Sequence, residues 1–398
     1  MLPEKIKQQL NLALTTVKNN NLLRTIKTLD FIDAGHALDA QGKKQLVLAT
    51  NNYLGLTFAP ELIQAAHEAL HFGTGSTGAR LTTGCSSQLQ ELETELAKFK
   101  HTEAALFFNT GYMANVGVIS ALANEQDVIF SDELNHASII DGARLSKAKI
   151  VVYRHSDMPD LRRKIAAYSQ HPGCLYIITD GVFSMDGDIA NLPELVEIAT
   201  EFQACLIVDD AHAVGVLGET GSGTAEFFGL QGKIPVQIGT LSKALASEGG
   251  YVAAEQVVID YLVNTARSFI FSTACAPATA AIALAALRKL QQEPACLQQL
   301  QANAQFMYAA LKAKGLPVME SQTPIIPILI GEAKLAMEFS EQLRERGIIV
   351  TAIRPPSVEV GKSRLRLTVN ASHSQEDLAW AVEVIAELYQ QLLRGEVK

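Results

Sequence analysis

Lys243 lies in the run Thr240-Leu241-Ser242-Lys243, directly after the apolar stretch "VQIG" and before "ALASEGG". A lysine presented at a strand end between hydroxyls, with glycines to let a ligand approach, attacks an aldehyde once burial or nearby positive charge frees its amine. A solvated surface lysine is the plainer alternative. Asp209, Asp210 and His212 follow a second apolar run, "ACLIVD". Two carboxylates there either serve a ligand or cap the next turn. His136, in "SDELNHASI", ends a third run and offers an aromatic face to a flat ring, or is a loop histidine in solvent. Gly111 and Tyr112 open a helical pattern, where backbone N–H groups bind anions. Gly73 to Gly78 spell G-x-G-x-x-G. The residues before it have helical spacing and another loop follows, so the strand-turn-helix context of a dinucleotide site is missing.

The elements that must position these groups alternate along the chain. Short β-rich runs such as "AALFFN", "DVIFS", "KIVVYR", "CLYIITDGV" and "ACLIVDD" are separated by amphipathic helical patterns. Continuous apolar strands between helices predict an α/β fold with a mostly parallel sheet covered on both faces, ending near Ala254. In such a sheet ligands bind beyond the C-terminal strand ends, where Asp209, Lys243 and His136 fall. Residues 1–45 read as an N-terminal helical arm, 46–292 as the large domain, and 293–398 as a smaller C-terminal α+β domain.

One cofactor uses all of these groups. Pyridoxal 5'-phosphate (PLP) needs a lysine for its aldehyde, an acid to keep its ring nitrogen protonated, and a phosphate cradle. Asp209 fits as the acid, and Gly111 and Tyr112 with the hydroxyls of Thr240 and Ser242 fit as the cradle. The segments "GSTGARLTTG", "DGVFSMDGD", "DDAHAVGVLGETGSG" and "TLSKAL" resemble the α-oxoamine synthase family of PLP enzymes, with the type I aminotransferase fold, over most of the chain.

That resemblance implies roles. Lys243 would hold the cofactor and remove the Cα proton of the substrate. Asp209 would pair with the ring nitrogen, His136 would stack on the ring, and His212 and Ser184 would lie near its hydroxyl. Thr240, Gly111 and Tyr112 would hold the phosphate, with Thr273 reaching it from a neighbouring subunit, so a homodimer with shared sites is implied. Arg366 matches the carboxylate-binding arginine, whose planar guanidinium meets both oxygens, and Asn52 matches a substrate contact. Family members join alanine to a pimeloyl thioester in biotin synthesis, glycine to acetyl-CoA, or serine to palmitoyl-CoA. "TLSKALASEGGYV" and "TAIRPPSVEVGKSRLRLTV" favour the pimeloyl branch, with Arg354 and Arg24 as cations for the distal carboxylate. The glycine reaction is the alternative, and the thioester carrier is either CoA or an acyl-carrier protein. Three departures stand out: Ala274-Cys275-Ala276 replaces a leucine-proline-proline type sequence, Ala246 replaces a glycine, and Asn109-Thr110 replaces serines.

Composition agrees with small-molecule partners. The formal net charge of -9, with scattered cations, argues against a nucleic-acid or anionic membrane surface. "MLPEKIKQQLNLAL" lacks the order of a signal peptide, and no apolar run is long enough for a bilayer. The five cysteines show no C-x-x-C pair, which suits a reducing cytoplasmic setting and no metal site, and Cys174 and Cys205 read as core residues.

Overall fold

The apolar runs between residues 104 and 254 form one seven-stranded sheet in the computed structural model, which describes residues 1–20 and 22–393. Its strands are β1 (Ala104–Phe108), β2 (Val128–Asp132), β3 (Lys149–Tyr153), β4 (Leu175–Asp180), β5 (Cys205–Asp209), β6 (Val236–Thr240) and β7 (Gly250–Ala254). Their spatial order is β1-β7-β6-β5-β4-β2-β3. Strands β6, β5, β4, β2 and β3 run parallel, and β7 is antiparallel to both its neighbours.

Successive residues of each strand feed opposite faces, which is why the runs are continuously apolar. Ile129, Ile178, Ile207 and Ile238 pack with Val118 and Ile119 of helix α1 (Gly111–Leu122), Ile139 of helix α2 (Ala137–Ser146), and Leu262. Phe130, Ile177, Leu206 and Val208 pack on the other face with Leu161, Ile165, Leu195 and Ile198. Among the described residues strand β3 is an edge, paired with β2 alone, and leaves Ile150 and Val152 exposed.

The chain divides into two compact units: described residues 51–301 with 370–372, which contain this sheet, and described residues up to 50 with 302–369 and 373–393. The second of these holds a three-stranded antiparallel sheet of Ile325–Gly331, Ser363–Thr368 and Thr351–Ile353, with helices Ala333–Glu345 and Gln375–Leu393. Leu46, Phe339, Ile348, Leu365 and Leu367 are among its buried residues.

Two expectations are corrected here. The N-terminal helix covers only Glu4–Asn19, and Leu29–Phe31, His36–Asp39 and Lys44–Val47 are strands instead. Lys44–Val47 pairs in parallel with Ile348–Ile349, a partner so distant in sequence that local periodicity does not announce it. Cys174 is exposed and Cys205 half-buried, because both stand at the N-terminal margin of the sheet and not in its core. Burial still pushes the Cys205 thiol up to about 12.

Candidate active site

The C-terminal ends of the central strands gather the polar residues. Asp209 ends β5 and Asp180 ends β4, and the two are direct partners across the strands. Both are buried. Asp209 Oδ1 accepts from the Ala211 amide at 2.8 Å, and Oδ2 accepts from Asn115 Nδ2 at 2.6 Å. Asp180 Oδ2 accepts the His136 backbone N–H at 2.7 Å. Burial first, then the charge of Asp209, hold the Asp180 carboxyl well above the usual carboxylate range.

His136 is the N-cap of α2 and is exposed by area. The protein mass around it lowers its pKa; Asp209 opposes that shift and Lys243 adds to it. Lys243 therefore lies within electrostatic reach of His136, and Asp180 also responds to it. His212 is buried, with Nδ1 2.7 Å from the hydroxyl of buried Tyr53. Ser184 is half-buried in the turn between Val182 and Ile189, which form a bridge.

The start of α1 comes next to these groups. Thr110 caps it by accepting from the Met113 amide at 3.0 Å. The first amides of a helix have no intrahelical acceptor and face outward as anion donors. A Cβ on Gly111 would lie 3.3 Å from Thr240, and one on Gly250 would lie 2.7 Å from the Gly111 nitrogen. Glycine at both positions thus lets the helix start meet the end of β6 and the start of β7. Thr240 Oγ1 lies 2.8 Å from Ser242 Oγ and donates to Gly249 O. Ala246, where the resemblance expects glycine, has φ 50°, in the left-handed region. The Tyr112 hydroxyl donates to Asp141, so the backbone of Tyr112 is what it can offer an anion. Thr273 is exposed, and its carbonyl accepts from Asn109 Nδ2 at 2.6 Å. Asn52 donates to Thr57 Oγ1 at 2.9 Å, and its Oδ1 meets no donor among the described residues.

The three arginines belong to the unit that contains Ser363–Thr368. Arg366 is buried in that strand, opposite Thr351 and Pro327. Buried Arg354 donates to Leu23 O at 3.0 Å and touches Met337. Burial, then the charge of exposed Arg24, lower the pKa of Arg354.

This donor set suits a phosphorylated aromatic aldehyde with a basic ring nitrogen. It offers an acid, an amine, a flat imidazole and a helix start beside two hydroxyls. Sequence reasoning missed Asp180, although it ends its apolar run as Asp209 does. It also missed Tyr53, Asn115 and Ser138; an amide inside the apolar helix "GYMANVGVISAL" was the available signal for Asn115. Among the described residues no group of three or more His, Cys, Asp or Glu is arranged for a metal, and no helix is long and apolar enough to cross a membrane.

Comparison with known proteins agrees. The model of the family "Aminotransferase class I and II" matches residues 43–385. An 8-amino-7-oxononanoate synthase of Lysinibacillus sphaericus is 50% identical over 87% of this chain and 89% of its own length. The 8-amino-7-oxononanoate synthase 1 of Bacillus subtilis is 44% identical over 96% of this chain and 97% of its own. A serine palmitoyltransferase from S. paucimobilis, solved with bound PLP-myriocin aldimine, superposes with TM-score 0.89 at 30% identity, covering 95% of this chain and 96% of that one. With the donor set already suited to PLP, the chain belongs to the class I and II aminotransferase family, in its branch of PLP-dependent acyltransferases, the α-oxoamine synthases.

Proposed function

We propose that the chain joins L-alanine to a pimeloyl thioester, giving 8-amino-7-oxononanoate, carbon dioxide and the free thiol. The observation that carries the chemistry is that Asp209 and Lys243, both at strand ends, lie within electrostatic reach of His136. The names of relatives 44–50% identical support the choice of substrates.

When bound, PLP supplies an electron-withdrawing ring that stabilises negative charge at the amino-acid Cα. The side chains divide the remaining work. Asp209 keeps a proton on the ring nitrogen, His136 covers one ring face, and His212 and Ser184 hydrogen-bond the ring hydroxyl. Thr240 with the amides of Gly111 and Tyr112 holds the phosphate, and a neighbouring copy offers Thr273, so the active species is a homodimer. Lys243 Nζ would hold the cofactor aldehyde and, once the incoming amino group had displaced it, its free amine would take up the Cα proton. Arg366 meets the amino-acid carboxylate and Asn52 contacts the substrate. Arg354 and Arg24 meet the distal carboxylate of the pimeloyl chain, whose carrier is CoA or an acyl-carrier protein. In the overall reaction Cα loses its proton, bonds to the acyl carbon as the thiol leaves, loses its carboxylate as carbon dioxide, and is reprotonated. The five free cysteines support a reducing, cytoplasmic setting.

Thiol release by PLP-loaded protein tests the substrates. L-alanine with pimeloyl-CoA should exceed glycine with acetyl-CoA by at least about tenfold in kcat/KM, a difference of about 1.4 kcal/mol in transition-state binding. The reverse preference overturns the substrate choice.

A further inference from the structure

Asn115 of α1 and Ser138 of α2 are buried and have no role in the scheme above. Their hydrogen bonds can be assigned donor by donor. A carboxylate only accepts, so the Asn115 atom 2.6 Å from Asp209 Oδ2 is the amide nitrogen. Turning the amide over would set its oxygen against the carboxylate. The second N–H of Asn115 goes to Ser138 Oγ at 2.9 Å. Ser138 Oγ is then an acceptor from Asn115 and has its own proton for His136 Nδ1, 2.7 Å away. The backbone N–H of Ser138 points at the same nitrogen at 3.3 Å. Backbone amides only donate, so Nδ1 is the acceptor of this N–H, the Ser138 hydroxyl donates to it as well, and the ring proton falls to Nε2.

We propose that Asn115 and Ser138 are positioning residues that join Asp209 to His136 in one line of hydrogen bonds and hold the His136 ring neutral with its proton on Nε2. The functional value rests on the PLP reading: a cationic imidazole over a protonated pyridine ring would oppose the charge that Asp209 maintains there. The charged groups facing the ring are Asp209 from β5 and Lys243 from the segment after β6, with the Asp180 carboxyl on the His136 backbone N–H.

The test is nuclear magnetic resonance of the full-length chain with isotope-labelled histidine, with and without added PLP. The His136 signal is assigned by its loss in His136→Gln. The wild type should show Nδ1 unprotonated, Nε2 protonated and a midpoint below the ordinary value of about 6.5. Ser138→Ala should lose the tautomer preference and raise the midpoint by about half to one pH unit. Asn115→Ala should weaken PLP binding about tenfold by releasing Asp209. A wild-type ring protonated on Nδ1, or a Ser138→Ala ring unchanged in both tautomer and midpoint, overturns the proposal. The wild-type tautomer decides the matter if the variants do not fold. Borohydride trapping separates the two readings: if the cofactor label appears on a residue other than Lys243 while the tautomer is as stated, the PLP assignment fails and the hydrogen-bond line stands.

Discussion

His136 and His155 follow adjacent strands, β2 and β3, and their pKa values move in opposite directions. His155 Nδ1 lies 3.0 Å from Asp132 Oδ1, and Nε2 lies 2.9 Å from Asp188 Oδ2. Burial pulls its pKa down, but the hydrogen bonds to the two carboxylates overcome this and push it up to about 10. At His136 the partners of Nδ1 are a hydroxyl and an amide, and the shift is downward. Burial lowers the pKa of both rings; it prevails at His136, and at His155 the two carboxylates overcome it. Acceptors on both nitrogens make an imidazolium, whereas donors on one nitrogen make a neutral ring with a defined tautomer. The charged histidine serves architecture: it ties the ends of two strands to the turn that carries Ser184, with its ring edge-on to Phe183 at 4.4 Å. The neutral one is the histidine proposed to meet a ligand.

Removing the charged ring should have the largest effect. His155→Leu leaves buried Asp132 facing half-buried Asp188, and should cost about 2–4 kcal/mol in urea unfolding, toward the low end of broken buried pairs because the site is partly solvated. A loss below about 0.5 kcal/mol would mean that the clamp adds nothing to stability.

The pH dependence comes next. The folded pKa of His155 lies above the unfolded value, so between about 6.5 and about 10 the native state binds more protons than the unfolded one. Its contribution is complete below about pH 6.5 and disappears as pH rises through about 10. After allowance for solvent screening the change is on the order of 1–2 kcal/mol. Asp188→Asn should shrink this fall and move it to lower pH, and an unchanged profile would assign the slope to other groups. The smallest effect belongs to His136→Phe, which keeps a flat ring and removes only neutral hydrogen bonds. It should cost about 1 kcal/mol or less, and a loss equal to that of His155→Leu would erase the distinction between the two histidines.

The same distinction separates what could be read from the chain alone from what could not. Asp209, Lys243 and His136 are legible because each is polar directly after an apolar strand, and the strands are legible because both sheet faces are covered. The Tyr53–His212 bond and the Asn115–Asp209 bond join residues 159 and 94 positions apart, and no local pattern pairs them. The strands at Leu29–Phe31 and His36–Asp39 stayed hidden because they are only three and four residues long, too short to show a period. His155 was passed over for a related reason: it looks like a loop residue until Asp132 and Asp188 close on it from either side.

The exposed edge strand β3 has a consequence for handling the protein in concentrated solution. A sheet edge beside exposed Ile150 and Val152 is a template on which another chain can add a strand. Lys164 Nζ occupies the Val152 carbonyl at 2.7 Å, and Lys149, at the start of the strand, lies over the Tyr168 ring at 4.9 Å. These two lysines place positive charge along that edge, which disfavours pairing with a second copy. Neutralising them, as surface acetylation would, exposes the sheet to stacking with its own copies and turns a question of chemistry into one of solubility.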